Sequence, residues 1–112
     1  MIVSYNQKMD KDCIFCKIAN KEIPSSIVYE DDKFFAFLDN KPQALGHTLI
    51  IPKEHFTWMT DVPDKIIGDI FVTVKSLMKK FIEEKNCEFV KIKVIGKDVP
   101  HFHIHLIPQY KG

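Results

Sequence analysis

The sequence predicts a single α+β domain, an antiparallel β-sheet of about five strands with one long and one short helix. Three observations predict it. Apolar residues recur at three- and four-residue steps over 63–85, as Ile67, Ile70, Phe71, Val74, Leu77, Met78 and Phe81. Short apolar segments bounded by turn residues lie on both sides of that stretch. The length, 112 residues, suits one hydrophobic core and leaves no room for two.

Each element follows in order. Residues 1–11 read as a flexible N-terminal extension and 12–112 as the domain. Residues 13–20 suggest a short helix. Segments 27–30 and 34–38 are strand-like and separated by the turn-forming pair Asp31-Asp32, which predicts a hairpin. A loop with Pro42 and Gly46 leads to a buried-type strand at 48–51, which ends at Pro52. The long helix shows Lys75, Lys79, Lys80, Glu83 and Glu84 on its wet face. Val90-Lys91-Ile92-Lys93-Val94 alternates as a half-buried strand does. After a tight loop at 96–98, Pro100 admits a last strand over 101–107, expected to pair antiparallel with the preceding one.

Charge and hydropathy narrow the function classes. Sixteen Lys and Arg against fifteen Asp and Glu leave a net charge of +1, so a general nucleic-acid surface is not expected. The longest apolar run, Phe34 to Leu38, is far short of the ~20 residues of a membrane span. The N-terminus lacks a cationic segment followed by an apolar stretch and a small-residue cleavage site, so a cytoplasmic location is expected. What stands out is five His and three Cys in so short a chain.

Three cysteines in a reducing compartment do not make a disulfide framework. Cys87 reads as a small buried hydrophobe. Cys13 and Cys16 form a Cys-x-x-Cys, which is either a redox pair or half of a metal site. Two large apolar residues between the cysteines and a polar tail before them favour metal.

His101-Phe102-His103-Ile104-His105-Leu106-Ile107 carries the functional reading. The two-residue period of a strand sets the three histidines on one face, roughly 6.5–7 Å apart, and Phe102, Ile104 and Leu106 on the other. Three imidazoles on one face repel when charged and need partners when buried, so the arrangement calls for a metal, an anion, or nucleophilic and acid–base chemistry.

This segment resembles the signature of the histidine-triad (HIT) family of nucleotide hydrolases and transferases. Further blocks match in family order: Cys13-Ile14-Phe15-Cys16-Lys17-Ile18, Glu22-Ile23-Pro24, Val28-Tyr29-Glu30-Asp31, Phe35-Ala36-Phe37-Leu38-Asp39 and Gly46-His47-Thr48-Leu49-Ile50-Ile51-Pro52-Lys53-Glu54-His55. The resemblance implies a HIT-like fold and a covalent mechanism. His103, the middle triad residue, would attack the α-phosphorus of a nucleotide conjugate, and water would then hydrolyse the nucleotidyl-histidine. His105 and His47 would contact the phosphoryl oxygens. Ile14, Phe15 and Ile18 would form one wall of the base pocket, with Phe37 and Leu38 opposite. Asp39 matches the ribose-binding acid, and Gly96, Lys97, Asp98 and Val99 match the segment lining the phosphates.

The resemblance also implies a zinc ion held by Cys13, Cys16, His55 and His101, a closed set typical of structural zinc. It further implies a purine nucleotide or AMP-like conjugate as ligand and a homodimer as the working unit. The expected activity is hydrolysis of nucleoside 5′-phosphoramidates or related conjugates. The alternatives are hydrolysis of dinucleoside polyphosphates and a zinc-stabilised nucleotide-binding module with little turnover. The chain departs from its phosphoramidate-hydrolysing relatives before the triad. Gly96-Lys97-Asp98 stands where Gly-Gln-Ser is usual, and residues 90–95 contain no Asn. That departure leaves the leaving-group preference open.

Overall fold

The computed structural model describes residues 9–95 and 99–111. Its elements run α1 (Ile14–Ala19), β1 (Ile27–Glu30), β2 (Phe34–Leu38), β3 (Thr48–Pro52), a 3-10 turn (Met59–Asp61), α2 (Asp64–Lys85), β4 (Phe89–Val94) and β5 (Ile104–Gln109). The five strands form one sheet in the order β1-β2-β3-β5-β4, with every neighbouring pair antiparallel. The expected fold class is therefore the observed one, including the hairpin at Asp31-Asp32 and the β4–β5 pair.

Alternation along the strands gives the sheet two different faces. Phe34, Ala36, Ile50, Val90, Ile104 and Leu106 point to the side covered by α2. The helix answers with Ile70, Val74, Leu77 and Phe81, spaced so that one stripe meets the sheet. Burial of each such side chain contributes on the order of 1.5–3 kcal/mol, so this face supplies most of the core. α2 begins behind Pro63 and stops at Asn86, whose left-handed φ of 56° lets the chain turn toward β4.

The opposite face is divided. Phe35, Phe37, Leu49 and Ile51 pack under α1, against Phe15, Cys16, Ile18 and Ala19. Beyond this second cluster, toward β5 and β4, the same face carries His105 and Lys93. Among the described residues no helix is long and apolar enough to cross a membrane.

One expected boundary differs. The last strand begins at Ile104, not at residue 101. His101 donates its backbone N–H to the Val99 carbonyl at 2.7 Å, and Phe102 donates to the Phe56 carbonyl at 2.6 Å. Both amides are thus spent outside the ladder, and His101 and His103 stand on extended chain leading into β5. The alternation of side chains survives, because Phe102, Ile104 and Leu106 all enter the core beneath α2.

Candidate active site and metal centre

Four groups converge where α1 meets the start of β5. Cys13 caps α1 and its sulfur accepts the Cys16 amide at 3.4 Å. The Asp10 amide likewise donates to Cys16 Sγ at 3.4 Å. His101 brings Nδ1 to within 3.3 Å of Cys13 Sγ and 3.4 Å of Cys16 Sγ, and His55 brings Nδ1 to 3.3 Å from Cys16 Sγ. The four candidate ligand atoms lie within 4.8 Å of one another. A tetrahedral zinc with bonds of roughly 2.0–2.3 Å holds its ligand atoms about 3.5 Å apart, so this set fits.

The outer contacts fit as well. The Pro52 carbonyl lies 2.8 Å from His101 Nε2 and can only accept, so the His101 proton sits on Nε2 and Nδ1 offers its lone pair to the sulfur side. His55 Nε2 lies 3.4 Å from the Thr57 hydroxyl. Hydrogen bonding from Cys16 lowers the Cys13 pKa, while hydrogen bonding to Cys13 and burial raise that of Cys16. Two amide donors on the sulfurs and a carbonyl behind one imidazole suit thiolate ligation better than a dithiol redox pair. Cys87, the remaining cysteine, is buried in the core under α2.

The second cluster lies farther along the same face. Gly46, with φ of 84°, makes the turn that delivers His47 to the start of β3. A Cβ there would be strained by that φ and would meet Lys85, Pro108 and Tyr110 at 3.4–3.5 Å. The Gln43 amide donates to His47 Nδ1 at 3.0 Å, which assigns the His47 proton to Nε2. That N–H points to His105 Nδ1 at 2.9 Å, so the proton of His105 sits on its own Nε2. His105 Nε2 is buried and has no hydrogen-bond partner among the described residues. A buried donor left unpaired is costly, and a ligand oxygen would satisfy it.

Burial lowers the pKa of both imidazoles. That of His105 falls to about 4, first through burial and then through the nearby His103 and His47. That of His47 falls through burial, opposed by Asp39 and aided by Lys93. Both are neutral at neutral pH. Asp39 Oδ2 lies 3.5 Å from His47 Nε2, while its Oδ1 accepts the Lys41 amide at 2.9 Å. Asp39 therefore serves both a turn and the histidine cluster.

His103 lies between the clusters. Its Nδ1 is 2.7 Å from the His101 carbonyl oxygen, an acceptor only, so Nδ1 carries the proton and Nε2 keeps a free lone pair. Its ring packs edge-on against Phe15 at 5.1 Å and against His105 at 5.1 Å between centroids. These rings are closer than the strand repeat, because they lean toward each other.

The expected site residues are brought together unevenly. Phe15, Ile18 and Phe37 are buried in one cluster beside the triad, with Phe15 and Phe37 in edge contact at 5.5 Å, and Val99 packs against that cluster. Ile14 is half exposed on the first turn of α1. Leu38 pairs with Thr48, whose partner Leu106 lies on the α2 side, so alternation directs it away from Phe37. Gly96, Lys97 and Asp98 fall outside the described residues. The groups that fix the tautomers were not anticipated: the Gln43 amide and the carbonyls of Pro52 and His101. Backbone groups have no side-chain signature, so no motif announces them.

Comparison with known proteins settles the family. The HIT domain family matches residues 20–112. The chain belongs to the HIT family. An uncharacterized HIT-like protein of Methanocaldococcus jannaschii is 42% identical over 104 residues, covering 89% of this chain and 81% of that protein. The adenosine 5′-monophosphoramidase HNT1 of Saccharomyces cerevisiae is 41% identical over 102 residues, covering 90% of this chain and 65% of the yeast protein. Among solved structures, a zinc-bound histidine triad family protein from Mycobacterium smegmatis superposes with a TM-score of 0.85 at 29% identity, covering 89% of this chain and 76% of that one. This HIT domain thus has a nucleotide hydrolase and a zinc-bound protein among its relatives.

Proposed function

We propose that the protein is a nucleotidyl hydrolase that cleaves AMP-like conjugates, nucleoside 5′-phosphoramidates among them, through a covalent intermediate on His103. The observation that carries this reading is the tautomer of His103. Its Nδ1–H is tied to the His101 carbonyl, which leaves the Nε2 lone pair for nucleophilic attack next to the Nε2–H of His105, which has no partner among the described residues. The yeast relative, a phosphoramidase, supports the reaction class.

The residues divide the work. The base lies in the apolar region of Phe15, Ile18 and Phe37, and Asp39 accepts from the ribose hydroxyls. The Nε2–H of His105, ordered by His47, donates to a phosphoryl oxygen as charge builds there. His103 Nε2 forms a bond to the α-phosphorus while the bond to the leaving group breaks, and the leaving amine takes up a proton from solvent, which the attacking water gives back in the second step. Water then attacks the same phosphorus, the P–N bond to the imidazole breaks, and the nucleotide departs with His103 restored. Two displacements at phosphorus, with imidazole as nucleophile in the first and leaving group in the second, replace one direct hydrolysis.

The residues Cys13, Cys16, His55 and His101 would hold a structural zinc ion, which would tie α1 to the start of β5 and supply no reacting group. The working unit is a homodimer: β4 is an edge strand whose Phe89, Ile92 and Val94 are exposed, with Trp58 also exposed.

The test is hydrolysis of adenosine phosphoramidate by the wild-type protein and by His103→Ala, with AMP binding measured in parallel. Loss of turnover with binding retained supports the enzyme. A wild-type protein that binds AMP but cleaves no conjugate would instead be a nucleotide-binding module.

A further inference from the structure

One row of side chains runs across four strands of the site face. The ladders pair Phe37 with Leu49, Leu49 with His105, and His105 with Lys93. Directly paired residues in antiparallel strands project to the same side, with Cβ atoms roughly 4.5–5.5 Å apart. The row therefore begins in the apolar cluster under α1, passes through the imidazole that faces the phosphoryl position, and ends on an ammonium group at the far side.

Lys93 has little else to do. Its Nζ lies 3.2 Å from the Gln43 side-chain oxygen, and Gln43 is the residue whose amide orders His47. Among the described residues no carboxylate stands within ion-pair distance of Lys93. A half-buried cation with one neutral partner keeps donors free for an anion. Its field also reaches the histidines, since it helps to lower the pKa of both His47 and His105.

We propose that Lys93 selects the leaving group: it favours nucleotidyl conjugates whose leaving group carries an anionic substituent, such as a carboxylate, phosphate or sulfate, over neutral or cationic ones. The inference rests on the nucleotidyl reading and adds the substrate class. With the base against Phe37 on the β2 side and phosphorus at His103 and His105, the group leaving from phosphorus extends toward β4. There an anion meets Lys93 Nζ at the expense of one weak contact to Gln43. Lys93 forms no covalent bond; it holds the departing group while the P–N or P–O bond to phosphorus breaks.

The experiment compares two substrates that differ in one charge, AMP joined through nitrogen to glycine and AMP joined to glycinamide. kcat/KM is measured for both with the wild-type protein, Lys93→Met and Lys93→Arg. The expected wild-type preference for the glycine conjugate is about five- to twentyfold, the scale of a charge-assisted contact at a partly exposed site. The preference should fall to near unity in Lys93→Met, return in Lys93→Arg, and shrink in the wild type as salt is raised. Equal rates for the two substrates in the wild type, or an unchanged preference in Lys93→Met, would overturn the proposal. Mass spectrometry of His103 during turnover separates the two levels. Absence of a nucleotidyl adduct with both substrates would defeat the nucleotidyl reading and the proposal with it, whereas an adduct without charge preference defeats the proposal alone.

Discussion

The two histidine clusters on the site face differ in their ligand types and in the hydrogen bonds behind their imidazoles. Cys13, Cys16, His55 and His101 form one, and Asp39, His47 and His105 the other; in each, candidate ligand atoms lie within 4.8 Å of one another. Only the first contains thiols, and the partner of the far nitrogen differs as well. The Pro52 carbonyl takes the Nε2 proton of His101 and leaves Nδ1 free to ligate. The Gln43 amide occupies Nδ1 of His47, forces the proton onto Nε2, and directs it into His105. A neutral imidazole so arranged has no lone pair to give a metal at that position, but it orders a donor for an anion. Ligand atoms at metal distance occur in both clusters, and the second hydrogen bond of each ring distinguishes a set suited to a metal from one suited to an anion.

His103 joins the two clusters, since its tautomer depends on the carbonyl of a metal-cluster residue. The largest effect is expected there. His103→Ala should lower kcat for nucleotide conjugates by about ten-thousandfold, in line with loss of a covalent nucleophile, with nucleotide affinity retained in a binding assay. A fall of tenfold or less would place the nucleophile elsewhere.

Loss of a ligand from the first cluster should act on stability. Cys16→Ser should reduce zinc from one per chain to well below that, and lower the melting temperature by about 10–20 °C, the scale of a loss of roughly 2–4 kcal/mol in a domain of this size. In the second cluster, Asp39→Asn should leave metal content unchanged and raise KM for nucleotide substrates about tenfold, as expected for one lost charge-assisted contact. Zinc loss in Asp39→Asn would erase the distinction between the clusters.

Acid should weaken the protein through the second cluster. His105 is held neutral with a pKa lowered to about 4, against an ordinary value of 6.5 in the unfolded chain. Between those values the unfolded state binds the extra proton, so this contribution is fully present above pH 6.5 and is lost as pH falls toward 4. Denaturant titrations across that window should show stability decreasing with pH in the wild type and a shallower slope in His105→Asn.

Much of this was legible in the sequence because it depends on periodicity. The α2 stripe of Ile70, Val74, Leu77 and Phe81, the β1–β2 hairpin, and the alternation that buries Phe102, Ile104 and Leu106 all follow from 3.6- and two-residue repeats. Of the candidate zinc ligands, the Cys13-x-x-Cys16 pair was legible as half of a metal site, while His55 and His101 followed from the family resemblance, because nothing local joins residues so far apart in sequence. The start of β5 was not legible, because the amides of His101 and Phe102 are taken by Val99 and Phe56, partners that no local pattern reveals. The 3-10 turn at Met59–Asp61 is only three residues long, too short to carry a periodic signal. The resemblance sets Leu38 beside Phe37 in the base pocket, whereas the strand period sends these neighbours to opposite faces. The reach of Lys93 to the histidines also became visible only once β4 and β5 were in register.

The central claim is that His103, poised by the carbonyl of His101, becomes covalently attached to the nucleotide. Its most direct test is rapid quenching of the wild-type protein during turnover of adenosine phosphoramidate, followed by peptide mass spectrometry under conditions that preserve phosphorus–nitrogen bonds. One adenylyl group on His103, absent from His103→Ala, is the predicted result. Full turnover with no adduct on His103 at any quench time, or an adduct on His105 or His47 instead, would contradict it.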